Sequence, residues 1–415
     1  MFFEMSIWEI VGSILVFFIG FAVATGSAGL FKTSSRKAIT LYLWHTSFCL
    51  LYAWYTTEYG GDSTGYYNAS LNGNIMFSLG TDAVKYLTIF FSNFLRLSFL
   101  ATSLAYNIFG FIGMVAFDAA IRFAVLKKKQ NIRRLAALII FLPSLSFWSS
   151  GLGKDSLAFM SAGLVLWAAL DFNKRAWLML PAVLIMLLVR PHIAGLLVMS
   201  FAVSIIMQKR GSAIFRLFIG VIAIIAATVL IPIGLKYSSF DSATGSEGLQ
   251  KYVDQRAKYN MEGGGGVNIS NMPLPLQVLT YLFRPLPFEA HNFGSFASSL
   301  DNMILIYLFI VGIKSMLKTR YVSRGENRVF MWTYSFMSLL LLSTTTANLG
   351  ISVRQKWMFT PMLIFLMISV IGKRERRKQN SKKQSSLSIH PSAMQISENV
   401  QLGRVILRTG SIPDL

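Results

Sequence analysis

The sequence predicts an all-α, polytopic transmembrane helix bundle of about eleven spans, with interfacial helices on its outer face. Three observations predict it. Of 415 residues, 54% are hydrophobic and only 14% charged, whereas roughly a quarter of a soluble domain is charged. Mean hydropathy is +0.54. The apolar residues gather into runs that approach the ~20 residues a straight helix needs to cross a bilayer. The basic residues fall in alternate connections between those runs. Together these exclude a disordered chain, a disulfide scaffold and a soluble two-domain enzyme.

The runs lie at 8–30, 39–57, 100–124, 135–149, 157–171, 177–190, 193–208, 217–236, 302–317, 330–347 and 357–372. The first lacks the basic start and small-residue cleavage site of a signal peptide and reads as a span. Those between 135 and 171 and between 177 and 208 are short and broken in the middle. The single cysteine, Cys49, lies in an apolar run, so no intrachain disulfide can form.

Orientation follows from the connections. KTSSRK (32–37), KKKQNIRR (127–134), NKR (173–175), QKRGSAIFR (208–216), KTRYVSRGENR (318–328) and the tail all fall on one side. The positive-inside rule then puts the N-terminus outside and the C-terminus in the cytosol of an inner (cytoplasmic) membrane. By this assignment 28 of the 39 Lys and Arg residues and 6 of the 18 Asp and Glu residues lie inside. The inner side is therefore strongly basic and the outer side nearly neutral. The formal charge of +21 is a topology signal that calls for contact with anionic membrane lipids and for no nucleic acid.

Residues 1–372 form the expected transmembrane domain, with long outer loops at about 58–99 and 237–301. Residues 373–415 read as a disordered, basic cytosolic tail. No internal repeat is evident. The inner loops are too short for a nucleotide-binding domain. GLGKDS (151–156) ends like a phosphate-binding loop, but Trp148 stands where its first glycine belongs. Chemistry is therefore sought at the outer face.

The first outer loop is glycine-rich and carries Asp62 and Asp82. From Lys85 a polar stripe of Lys85, Thr88, Ser92 and Arg96 runs beside Phe90, Phe91 and Phe94, the pattern of a helix lying in the interface. The second contains GGGG (263–266), a hinge without side-chain chemistry, and FRPLPFEAH, which concentrates Arg284, Glu289 and His291. An arginine there binds phosphate through its planar fork, or Arg284 and Glu289 pair and close the loop.

Shorter outer turns add cations. Lys154 and Asp155 open an apolar helix whose N-terminus favours an anion, although Lys154 also fits interfacial snorkelling. Arg190 and His192 sit in a break between two apolar runs, where side chains face protein or a water-filled cavity. Arg354 and Lys356 complete the outer cations. Glu9, His45, Asp118 and Arg122 are ionisable groups inside spans.

GGDSTGYY followed by GTDAVKY and an interfacial helix resembles the membrane glycosyltransferases of the GT-C class and the related exopolysaccharide and O-antigen polymerases. PSLSFWSSGLGKDS and YLFRPLPFEAHN resemble segments of other multi-spanning proteins from such clusters. The likeness covers roughly 40–360. It implies that an outer-loop acid after the first span acts as base, here Asp62, with Asp82 as second candidate. An additional span precedes this loop, and no second acid directly adjoins Asp62, which departs from the family pattern.

Sugar transfer from a polyprenyl-phosphate or diphosphate donor needs a carboxylate to take the acceptor's proton and fixed cations for the departing phosphate. The expected catalytic acids are Asp62, Asp82 and Glu289. The expected phosphate- and substrate-binding residues are Lys154, Arg190, His192, Arg284, Arg354 and Lys356. A polymerase-type variant would rely on Arg190, His192 and Arg284 without an essential aspartate. No protein-held metal site is assigned, and the need for a divalent metal stays open. The expected partners are the lipid-linked sugar, membrane lipids and other polysaccharide-biosynthesis proteins. A transporter or flippase of lipid-linked oligosaccharide is the alternative, which would place ionisable groups near the midplane and duplicate its halves. Asp62 also has a plainer reading as a turn former, since Asp and Gly favour turns.

Overall fold

The computed structural model describes residues 6–73, 75–208, 212–236, 267, 272–290, 293–318, 327–346 and 348–372. The expectations for the glycine run 263–266, for His291 and for the tail 373–415 lie outside these residues. Contacts group Met1–Ile371 into one unit, separate from Gly372–Leu415, and the first unit is described below.

It is all-helical, without a strand among the described residues. The helices are α1 (Ile7–Leu30), α2 (Ser35–Tyr59), α3 (Asp62–Leu71), α4 (Thr81–Ile89), α5 (Phe99–Val125), α6 (Gln130–Ile140), α7 (Pro143–Ser150) and α8 (Lys154–Ala169). They continue as α9 (Phe172–Val189), α10 (Pro191–Met207), α11 (Ala213–Lys236), α12 (Leu274–Phe283), α13 (Phe293–Lys318), α14 (Arg328–Thr345), α15 (Leu349–Gln355) and α16 (Thr360–Val370). Each of the eleven apolar runs falls largely on helical residues, with a break at Phe141–Leu142 and an end at Arg190. Five helical stretches are long and apolar enough to cross a membrane: α1, α5, the α6–α7 stretch Gln130–Ser150, α9 and Gly294–Lys318 of α13. Helix α2 is long enough, but His45, Thr46, Thr56 and Thr57 dilute its apolar character.

Local chemistry explains the boundaries. At α1, Ser6 and Glu9 form a capping box: the Ser6 side chain accepts from Glu9 N–H and the Glu9 carboxylate from Ser6 N–H. Prolines Pro143 and Pro191 open α7 and α10, because proline lacks an N–H and suits the first helical turn. Each also pushes the residue before it out of helical geometry. Arg190 accordingly takes φ −148° and ψ 74° between α9 and α10. The break read from the sequence is real.

Helix α5 packs against α1, α2, α7 and α8. Lipid tails are as apolar as leucine, so helices in a bilayer gain chiefly from close approach. Here glycines provide it. A Cβ on Gly163 would lie 2.4 Å from the Gly113 carbonyl oxygen, and one on Gly110 would lie 1.9 Å from the Ser149 carbonyl oxygen. Backbones of α5, α7 and α8 therefore touch, which fixes where α7 ends and α8 begins. From Ser156 to Ala169 in α8 and throughout α16 every residue is buried.

Of the polar stripe expected from Lys85, Thr88 and Ser92 turn inward, Lys85 is half-buried and Arg96 is exposed. Thr88 bonds Tyr106 Oη at 3.0 Å and Ser92 bonds Ser70 at 2.8 Å. Tyr86, Phe90 and Phe94 are exposed. The regular helix stops at Ile89 and gives way to a π-helical turn, Phe90–Phe94, rather than running on through Arg96.

Candidate functional site

Four helix ends converge on one charged cluster: the N-termini of α3, α8 and α10 and the C-terminus of α15. At its centre is Asp155, the second residue of α8. Its Oδ1 accepts from Arg190 Nη2 at 2.7 Å, and its Oδ2 lies 3.5 Å from Arg354 Nε. Arg354 also donates through Nη2 to Asp62 Oδ2 at 2.9 Å. Its guanidinium carbon lies 5.9 Å from the centroid of the Trp148 ring, within cation–π range. Lys154 donates to Thr81 Oγ1 at 2.8 Å, tying α8 to the start of α4. Gly80 N–H donates to the Leu188 carbonyl at 2.7 Å, tying that segment to the end of α9.

Exposure grades the cluster. The Arg190 side chain is 9% exposed, Asp155 18%, Arg354 23% and Asp62 51%. Asp62 is the one facing solvent. Trp148, Ser149, Phe159, Trp357 and Met358 pack around Asp155 and Arg354 and leave only a gap too narrow for a water molecule.

The electrostatics follow from this placement. Burial alone would raise the Asp155 carboxyl, but the guanidiniums of Arg354 and Arg190 outweigh it and hold Asp155 below the usual carboxylate range. Asp155 therefore stays ionised and serves as a fixed counter-charge. Lys154 is pushed down to about 8, first by burial and then by the positive charge of Arg190, against the pull of Asp155 and Asp62. Three cations face two carboxylates, so the cluster retains positive charge when Lys154 is protonated.

Of the residues expected from sequence, Asp62, Lys154, Arg190 and Arg354 come together here. Asp82 sits beside them, capped by Ser78 at 2.8 Å and Lys85 at 2.9 Å. Burial raises its carboxyl, but these partners outweigh that and hold it low. His192 lies half-buried on the first turn of α10, two residues after Arg190.

Arg284, Glu289 and Lys356 belong elsewhere. Arg284 Nε donates to Glu289 Oε1 at 2.7 Å, and Glu289 Oε2 accepts from Leu286 N–H at 2.8 Å. This is the loop-closing pair. The Pro285 carbonyl accepts from Asn302, whose side-chain oxygen accepts in turn from Lys356. Lys356 is fully buried, and burial, against the pull of Asp301, lowers it to about 8. It joins α13 to the entry of α16.

The groups read as lying inside spans are likewise engaged. His45 bonds Asn107 at 2.6 Å and Ser149 at 2.9 Å. Asp118 takes Lys37 at 2.6 Å and Arg122 at 2.7 Å, and Arg122 reaches the Phe31 and Lys32 carbonyls. Glu9 is spent on the α1 cap.

Asp155 is named in the sequence reading at the head of α8 but is not among its expected site residues. It stands beside Lys154, but its partners come from distant segments. Among the described residues no three His, Cys, Asp or Glu side chains gather as a metal site. No family model matches the chain, and no curated protein or solved structure does.

Proposed function

We propose that the protein is a membrane glycosyltransferase or polymerase that uses a polyprenyl-phosphate or diphosphate sugar in cell-surface polysaccharide synthesis. It works at the outer face of the cytoplasmic membrane, with about eleven spans, an outer N-terminus and a cytosolic tail. The observation that carries this reading is the meeting of Asp62, Asp155, Lys154, Arg190 and Arg354 from four separate segments. Such a concentration of charge in so apolar a chain is costly unless paired or used.

In this reading Arg354 and Lys154 take the donor's phosphate oxygens and stabilise the charge that develops as the sugar leaves. Arg190 and Asp155 hold that array in place. Asp62, the solvent-facing carboxylate, takes the acceptor hydroxyl's proton. The engagement of Arg284 with Glu289 favours this arrangement over one built on Arg190, His192 and Arg284 alone. The exposed aromatic face of Tyr86, Phe90 and Phe94 suits contact with the lipid boundary, where amphipathic aromatic helices rest.

Reconstituted protein supplied with a polyprenyl-diphosphate sugar and an acceptor glycan tests it. New glycosidic product is expected. Movement of intact lipid-linked oligosaccharide across the bilayer without new linkages would replace this reading with that of a flippase.

A further inference from the structure

We propose that Arg354 carries an exchangeable anion site, occupied by Asp62 in the structure and taken over by a phosphate group of the substrate in the working protein. This deepens the reading above and rests on it. Asp62 stands in for the ligand on Arg354, and its displacement frees the carboxylate that faces the acceptor.

The two carboxylates on Arg354 are not equivalent. Asp155 is 18% exposed, sits in the first turn of a buried helix and is held also by Arg190 at 2.7 Å. Asp62 is 51% exposed, and among the described residues its ion pair is with Arg354 alone. When an anion arrives from solvent, Asp62 is the partner that yields. Solvent-exposed ion pairs are weak and readily exchanged, whereas stripping Asp155 from two largely buried arginines leaves unpaired charge behind.

The backbone beside Asp62 permits the move. Gly60 has φ +75° and Gly61 is the N-cap of α3, with no side-chain cap bond. A positive φ at glycine carries little steric cost, and no packed side chain at these two positions has to follow. Ser63, the next residue, is fully buried and donates to Tyr52 Oη at 2.8 Å, so the start of α3 stays in place and Asp62 leaves Arg354 by rotation of its own side chain.

Arg354 stays behind with its geometry intact. Trp148 supports its planar group, and Asp155 faces Nε, so the Nη2 edge released by Asp62 keeps its direction. A phosphate oxygen offers the same in-plane acceptor as the carboxylate with more negative charge. Lys154, bonded to Thr81 at 2.8 Å, lies in the same cluster to add to the attraction.

Calorimetry on the purified full chain in detergent tests the exchange, with inorganic diphosphate as the probe and polyprenyl phosphate in mixed micelles as the second. Asp62→Asn, which removes the competing charge at an exposed position, is expected to bind the probe about fivefold tighter, the size of one exposed ion pair. Arg354→Gln is expected to lose binding, and the double variant to match Arg354→Gln. Tightening with both probes assigns the site to a lipid headgroup, and tightening with diphosphate alone assigns it to free phosphate. Either supports the exchange. Equal or weaker binding by monodisperse Asp62→Asn overturns it and leaves the transfer reading standing. Tighter binding without sugar transfer from any lipid-linked donor keeps the exchange and removes the transfer reading. No binding by any form overturns the exchange.

Discussion

Arg354, at the end of α15, reaches Asp62, at the start of α3, through Nη2 at 2.9 Å across 292 positions of sequence. That bond closes one side of the cluster. The opposite side is closed by Arg190 and Asp155 at 2.7 Å. Between them the chain holds a set of charges whose two halves differ in burial.

Asp155 is the half that holds. Removing it leaves Arg190 and Arg354 largely buried and short of a counter-charge, which costs on the order of 3 kcal/mol. Asp155→Ala is expected to lower thermal stability in detergent markedly, while Asp62→Ala shifts it little. A scanning fluorescence melt of the two variants checks this. Equal melting temperatures would contradict the grading of the cluster by burial.

Lys154 sets a pH window. Its ammonium is lowered to about 8 by burial and by Arg190, so it is charged below that pH and neutral above it. Phosphate binding and turnover are expected to fall as pH rises through about 8. Lys154→Arg keeps its charge at alkaline pH and should flatten the fall, even where the change of shape lowers the rate. A rate that rises through pH 8 would remove Lys154 from the phosphate-binding set.

Gly163 and Gly110 position the site from a distance. Alanine at Gly163 meets the Gly113 carbonyl, and at Gly110 it meets the Ser149 carbonyl. Either change pushes α7 or α8 off α5, and with it Ser149, Lys154 and Asp155. A loss of roughly 1–3 kcal/mol is expected from such overpacking, with a fall in activity though neither residue touches the cluster. Alanine at Gly26, whose Cβ would meet nothing within 4 Å, is the control and should be silent in both assays.

How much of this was legible follows from what sequence patterns encode. Hydropathy marks apolar runs, and each run proved largely helical. The gap between two apolar runs marks a break, and Arg190 falls in it. Local ion pairing was visible too: Arg284 and Glu289 are five positions apart and pair. What sequence spacing does not carry is which distant ends meet. Asp155 stands next to Lys154, yet its role depends on Arg190 and Arg354, which only the packing of α8, α10 and α15 brings near. Lys356, two positions after Arg354, looked equivalent to it. The turn from α15 into the following 3-10 helix sends it into the core toward Asn302 instead.

Topology can be probed directly because Cys49 is the single cysteine and is buried. In a Cys49→Ser background, cysteines at exposed Glu58 and Asn72 are expected to react with an impermeant maleimide from the outer side. A cysteine at Arg324, in the basic connection 318–328, should react only after permeabilisation. The reverse pattern would invert the orientation and put the charged cluster on the cytosolic side.

The most direct test of the central claim is the rate of sugar transfer by reconstituted Asp62→Asn at matched protein level, alongside Asp82→Asn and Glu289→Gln. The account predicts that Asp62→Asn loses roughly 100-fold or more in turnover, the scale of a missing general base, while binding its phosphate-linked donor more tightly than the native protein. Asp82→Asn and Glu289→Gln should retain most of the rate. Near-native turnover by Asp62→Asn would contradict the account and leave Asp62 as a counter-ion to Arg354 and the start of a turn.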